Sequence, residues 1–450
     1  VSDDDAPFAG EPTGDAATLA RECLAAGIDA ARPERAVTDR VTAREGRLCV
    51  AGRRRECVVS LADYDRLLVV GGGKATRGLT EALVDVLATT GVTPDDGTVL
   101  VPPGDAGGRG SVEFAAGGHP TPTVEGVAAT RDALATLDAA GPETLVLAPI
   151  TGGGSALLAA PAPTVGLSTV QSVTRRLLEA GASVNELNAV RRALSTVKGG
   201  RLAARAAPAR VVGVVVSDVV GDDPAVVASG PTVPLSDAVD PSAVLDRYDV
   251  NAPRIESFLQ TRDHSPPTPL DTADTVVIAS GGRALAAARD HARTRGADAQ
   301  VLARSVTGEA HRCGRRAGAL AATVSACVGR AYRRDRPVVL LSGGETTVSV
   351  TGDGVGGPNC EYVAGAGLEL ARHDADTSTV VAAVDTDGYD GSTDAAGGVV
   401  SGATVENPRR VRQALADNDT LRWLRDIGAV LRSGATGTNV DDLRVIVVVP

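Results

Sequence analysis

Residues 66–75 read RLLVVGGGKA, an apolar β-branched run that ends in three glycines and a lysine. A run of that length bounded by glycine is a buried strand feeding a turn, and residues 76–89 then carry a helical pattern. The device recurs. TLVLAPITGGGS (144–155) repeats strand into glycine turn, ARVVGVVVSDVVGDDP (209–224) is a strand ending in carboxylates, and TVVIASGG (275–282) and PVVLLSGGETTVSV (337–350) run from strand into SGG. Buried apolar strands alternating with helices predict an α/β protein with a parallel sheet covered by helices on both faces. Further helices are expected over 283–295 and about 309–334, and further strands in STVVAAVDTDGYDG (378–391) and LRVIVVV (443–449). The proline-rich, aperiodic stretch TRDHSPPTPLDTAD (261–274) marks the expected domain edge, after which strand TVVIASGG opens a second α/β unit.

The 450 residues carry a formal charge of −11 and no basic stripe, which argues against a nucleic-acid partner. Only two of the forty-five basic residues are lysines, Lys74 and Lys198, and each adjoins a glycine cluster. A chain that has shed lysine should keep it where a compact ammonium does what a planar guanidinium cannot, such as reaching a phosphoryl group. The arginine bias points to a halophilic proteome or a GC-rich genome. Six cysteines stand without a C-x-x-C pair or metal-ligand spacing, as expected of free thiols in the cytoplasm. The acidic N-terminal stretch has no signal-peptide pattern, and no apolar run reaches the length of a membrane span.

Glycine turns that follow buried strands place backbone N–H groups beyond the carboxyl ends of the sheet, where α/β proteins bind anions. GGGK at 71–74 is neither the G-x-x-x-x-G-K-[ST] phosphate loop nor, at strict spacing, the dinucleotide fingerprint. The candidate cradle is Gly72, Gly73, Thr151, Gly152, Gly153, Gly154 and Ser155, with close strand-to-helix packing as the alternative for every glycine. In VNELNAVRRALSTVKGGRLA (184–203), read as one helix, Leu187, Val190, Leu194 and Val197 form an apolar face. Asn188, Arg191, Ser195 and Lys198 fall on the adjoining face, as a ligand site or a solvated basic surface. AVDTDGYDGSTDAAGG (383–398) sets Asp385, Asp387, Asp390 and Asp394 in a glycine loop that suits Mg²⁺ or a general base better than Ca²⁺. Asp218 and Asp222 in SDVVGDDP are the alternative metal ligands.

The ordered series VVGGGKA, GGHPTPTVEG, TGGGSALL, LNAVRRALSTVKGGRLA, SDVVGDDPAVVASGPTVP, LLSGGETTVSVTGDGVGGPNCE, DTDGYDGSTDAAGG and TGTNVDDLRV resembles the class II glycerate kinases with their C-terminal MOFRL domain, from about residue 14 onward. The resemblance implies ATP- and Mg²⁺-dependent phosphorylation of D-glycerate at its 2-hydroxyl. It also implies a Rossmann-like three-layer N-terminal domain (1–265), a smaller α/β C-terminal domain (266–450), and an active site between them. A homodimer is compatible with it. The family's loop lysine maps onto Lys74, and its arginine helix and KGG turn onto Arg191, Arg192 and Lys198. Lys74 then stabilises the transferring group, Arg191 clamps the glycerate carboxylate, Asp385 or Asp387 serves as metal ligand or base, and Asn188, Glu345 and Asn359 complete the binding set. Where many relatives have arginine in G-G-R-N-Q-E, this chain has Pro358, so Arg191 or Lys198 is expected to supply the missing charge. A hydroxypyruvate reductase, a non-catalytic sugar-acid sensor and a calcium-binding module remain the alternatives.

Overall fold

The computed structural model describes residues 8, 14–234, 239–261, 267, 271–330, 336–373, 375 and 377–450, with the backbone alone for 184 and 328–330. Parts of the expected domain edge (262–266, 268–270) and of the expected helix to 334 (331–334) lie outside the described residues. The chain forms two compact units, one of residues 36–278 and one that joins the described part of 1–35 to 279–450. This division differs from 1–265 and 266–450. Helix Asp15–Ala31 buries Ala16, Leu19, Ala20 and Leu24 in one core with Leu285, Val339, Leu443 and Val445, so its apolar stripe completes the second unit.

The 36–278 unit carries a seven-stranded sheet in the order Ala273–Ser280, Arg210–Ser217, Thr144–Ile150, Arg66–Gly72, Asp96–Val101, Val112–Ala116, Gly107–Arg109. Strand Arg66–Gly72 pairs in parallel with both neighbours, and Thr144–Ile150 with Arg210–Ser217 likewise. All seven residues of Thr144–Ile150 are buried, which requires cover on both faces and explains the unbroken apolar sequence. Strand Ala273–Ser280 pairs into this sheet rather than opening the second unit as its sequence position suggested. A separate antiparallel meander comprises Val41–Arg44, Arg47–Ala51 and Glu56–Ser60. Strand order reverses at Arg66–Gly72: the next strand, Asp96–Val101, lies on one side and Thr144–Ile150 on the other. Such a reversal opens a crevice at the carboxyl ends of adjacent strands.

The second unit is also α/β, but its six-stranded sheet is mostly antiparallel, in the order Asp298–Ala303, Val338–Gly344, Asp442–Val448, Thr379–Asp385, Gly397–Ser401, Val430–Leu431. The closing strand Asp442–Val448 is central, paired on both edges, and wholly buried. Helices Gly281–Thr294, Ala310–Arg330 and Pro358–Arg372 fill out the unit.

The expected single helix over 184–203 is broken. Helix Val184–Ala193 starts in a capping box between Ser183 and Glu186. It stops where Ser195 Oγ accepts the N–H groups of Val197 (3.1 Å) and Lys198 (3.2 Å), a local turn that competes with helical bonds. Ser195 then bridges to Pro161, and a new helix begins at Arg201. The Glu186 carboxyl is held down at about 2 by the Ser183 hydroxyl, the Ser183 backbone N–H and the Tyr248 hydroxyl. With the folded value below the ordinary 4.5, this contribution to stability is complete above about pH 4.5 and fades as pH falls toward 2. Glu186→Gln should therefore lower the urea midpoint at pH 7, and the gap from the parent protein should close in acid titrations.

Candidate active site

Two glycine loops leave adjacent strands at the strand-order reversal, and backbone bonds lock them together. Lys74 N–H donates to Gly152 O (2.8 Å), Thr151 N–H to Gly72 O (3.4 Å) and Gly73 N–H to Leu100 O (3.0 Å). Thr151 Oγ1 accepts the Ala75 N–H at 3.1 Å and is buried, so this hydroxyl clamps loop to loop instead of facing a ligand. Gly153 has φ +79°, a conformation that favours glycine, and a Cβ there would stand 2.8 Å from Lys74 Cγ and 3.2 Å from His119 Cδ2. At Gly152 a Cβ would run into the Asp218 carboxylate. Lys74, His119, Asp218 and Gly152–Gly153 thus share one small neighbourhood, with Lys74 half-buried.

Ser155 joins this loop to the broken helix. Its Oγ lies 2.7 Å from Ser229 Oγ, while its carbonyl accepts both Lys198 Nζ (2.7 Å) and Arg191 Nη2 (3.1 Å). Lys198 is only 4% exposed, which overturns the solvated-face reading. Burial, reinforced by Arg191 and Arg192, pushes its pKa well below the usual lysine value. Burial likewise lowers that of Arg191. Among the described residues neither cation forms an ion pair with a carboxylate. Their side chains and Ser195 border a cavity of about 320 Å3. Asn188 is half-buried on the same helix but is not part of the cavity wall. Asp222 lies in a turn at φ +58°, its N–H on Val219 O.

Ser229 and His119 carry no role in the sequence reading, although both sit in quoted motifs. Ala228 and Ser229 have φ +51° and +63°, uncommon for residues with a side chain, and Gly199 N–H donates to Ser229 O (3.0 Å). That strained segment packs against Gly154, where a Cβ would lie 2.7 Å from Ala228 Cβ.

The carboxylate loop belongs to the other unit. Asp385 ends a strand and pairs in register with Asp442 on the neighbouring strand. Its Oδ1 accepts the Asp387 N–H (3.0 Å), and Asp387 Oδ1 accepts the Tyr389 N–H (2.9 Å). Burial, then the charges of Asp387 and Asp442, hold the Asp385 carboxyl well above the ordinary range. Asp390 accepts the N–H groups of Asn359 (2.8 Å) and Cys360 (2.7 Å), capping helix Pro358–Arg372, and burial pushes its carboxyl up to about 6. Asp394 pairs with Arg425 at the surface. Asn359 is fully buried, donating to Asp442 (2.7 Å) and Asp390 (3.3 Å), whereas Glu345 is exposed. Pro358 occupies the first turn of its helix, where a missing N–H costs nothing. A buried cation absent from the sequence reading, Arg444, bonds Asp442 and Thr346 and lies 4.9 Å from the Tyr362 ring centre.

Comparison with known proteins agrees with these motifs. Residues 19–260 match the family described as a domain of unknown function, DUF4147, and residues 338–442 match the MOFRL family. A D-glycerate 2-kinase of Thermotoga maritima is 34% identical over 435 residues, covering 94% of this chain and 96% of the relative. The chain belongs to the class II glycerate kinase family. A glycerate 2-kinase of Pyrococcus horikoshii is 32% identical with 94% of each chain covered. A relative from Agrobacterium vitis named a putative hydroxypyruvate reductase is 36% identical, covering 85% of this chain and 99% of the relative. The crystal structure of a Thermotoga maritima glycerate kinase superimposes with a TM-score of 0.82 at 32% identity, covering 96% of this chain and 99% of that one.

Proposed function

We propose that this protein phosphorylates D-glycerate at its 2-hydroxyl with ATP and Mg²⁺. The observation that carries the reading, beside family membership, is the locked pair of glycine loops at the strand-order reversal, with Lys74 on one and Ser155 on the other. Phosphoryl transfer asks a protein for positioning and charge neutralisation. Gly72, Gly73 and the amides of Gly152, Gly153 and Gly154 supply short-range donors, and Lys74 stabilises charge on the transferring group. Arg191 and Lys198 hold a second anionic group.

Asp385 and Asp387 suit Mg²⁺: Asp385, Asp387 and Asp442 crowd negative charge at one strand end, and oxygen-only ligands are what this ion prefers. Mg²⁺ is commonly held by one or two carboxylates together with substrate phosphates rather than by an all-protein cage; among the described residues no group of three or more His, Cys, Asp or Glu is arranged to hold a metal ion. The ion would neutralise phosphate charge. Asp385→Asn and Asp387→Asn are expected to raise the Mg²⁺ concentration for half-maximal rate about tenfold. Unchanged metal dependence in both would move the ion elsewhere, with Asp218 next to test. The activity itself is tested by incubating the protein with D-glycerate, ATP and Mg²⁺ and coupling to enolase without a mutase. Signal requires the 2-phosphate, whereas NADH consumption on hydroxypyruvate without ATP would refute the kinase reading.

A further inference from the structure

The cavity beside Ser155 has a size and lining that a three-carbon acid does not use. Its volume of about 320 Å3 stands at the lower end of the range of small-molecule sites. Pro120, Ala160, Pro161, Val170, Leu178 and Leu187 make its walls mostly apolar, and Leu178 is left 57% exposed. At one side Arg191 and Lys198 donate to a single neutral carbonyl. Two neighbouring basic groups, Lys198 buried and Arg191 half-buried, that share one uncharged acceptor repel each other, and a ligand with negative charge relieves that cost. Glycerate would satisfy the cations but leave the apolar walls against its hydroxyls. A nucleotide satisfies both, because its base has two apolar faces and its phosphates carry the charge.

We propose that this cavity holds the base and ribose of the phosphoryl donor, with Arg191 and Lys198 meeting its phosphates; the assignment rests on the kinase reading above. It moves Arg191 from the glycerate carboxylate, the role expected of it from the sequence, to the nucleotide. Gln171 lines the wall with its Nε2 on Pro122 O (2.8 Å), which leaves its amide oxygen as the acceptor for an exocyclic amine of the base. Ser155 then links the two functions, since its backbone carbonyl orients both cations and its loop forms the cradle beside Lys74.

Thr174 is half-buried on the wall helix Leu167–Glu179, so Thr174→Trp fills the cavity from its rim. The expected result is a rise of about tenfold or more in KM for ATP, with KM for D-glycerate shifted less than about twofold. A rise confined to glycerate, or no change in either constant, overturns the assignment. Irradiating the unmodified protein with 8-azido-ATP gives a second reading that does not depend on the variant folding. Label should fall in peptides spanning 120–122 or 159–187, and excess ADP but not D-glycerate should prevent it. Label found only elsewhere overturns the proposal. If 2-phosphoglycerate still forms while either test fails, the nucleotide site alone is wrong; if neither phosphorylation nor labelling occurs, the kinase reading falls with it.

Discussion

Lys74→Ala is expected to lower kcat for glycerate phosphorylation by about 10²-fold or more, the cost of removing a cation aimed at transition-state charge. The loop bond at this position comes from the backbone N–H of residue 74, which alanine retains. Lys74→Arg should fail to restore the rate, because a planar guanidinium does not present its charge as the compact, rotatable ammonium does. Steady-state kinetics in the enolase-coupled assay, alongside calorimetric midpoints, would check both variants. Near-parental kcat in Lys74→Ala removes the residue from the chemistry.

The second large effect is on stability. Asp390→Ala should destabilise the 279–450 region by about 3 kcal/mol or more, since it strips the acceptor from two buried backbone N–H groups and one amide, each costly to leave unmet. Asp390 has no measurable solvent exposure, so water does not replace the lost carboxylate without repacking. Chemical denaturation followed by far-UV circular dichroism measures the loss. Asp394→Ala, which removes only a surface pair with Arg425, should cost no more than about 1 kcal/mol. Equal effects from the two would remove Asp390 from its capping role.

Much of the architecture was legible because buried parallel strands write themselves as unbroken β-branched runs. Arg66–Gly72, Thr144–Ile150 and Arg210–Ser217 all lie within the runs that announced them. Reading 184–203 as one helix failed for a local reason. Leu187, Val190, Leu194 and Val197 are buried as their spacing requires, but in two different cores, because the chain turns at Ser195 between them. A wheel projection records spacing along the chain and is blind to a side chain that captures the next two N–H groups.

By itself the sequence determined the alternation of strands and helices, the glycine turns after them, and the family, since each depends on residues near one another in the chain. Tertiary structure alone decided that strand Ala273–Ser280 joins the first sheet and that helix Asp15–Ala31 completes the core of the second unit. It alone turned Asp390 into a helix cap and brought Arg191 and Lys198 onto one carbonyl oxygen. The physical reason is the same in each case: apolar faces, unmet N–H groups and buried charges state a need in the sequence without naming the partner. Only the folded chain brings that partner within a few ångströms.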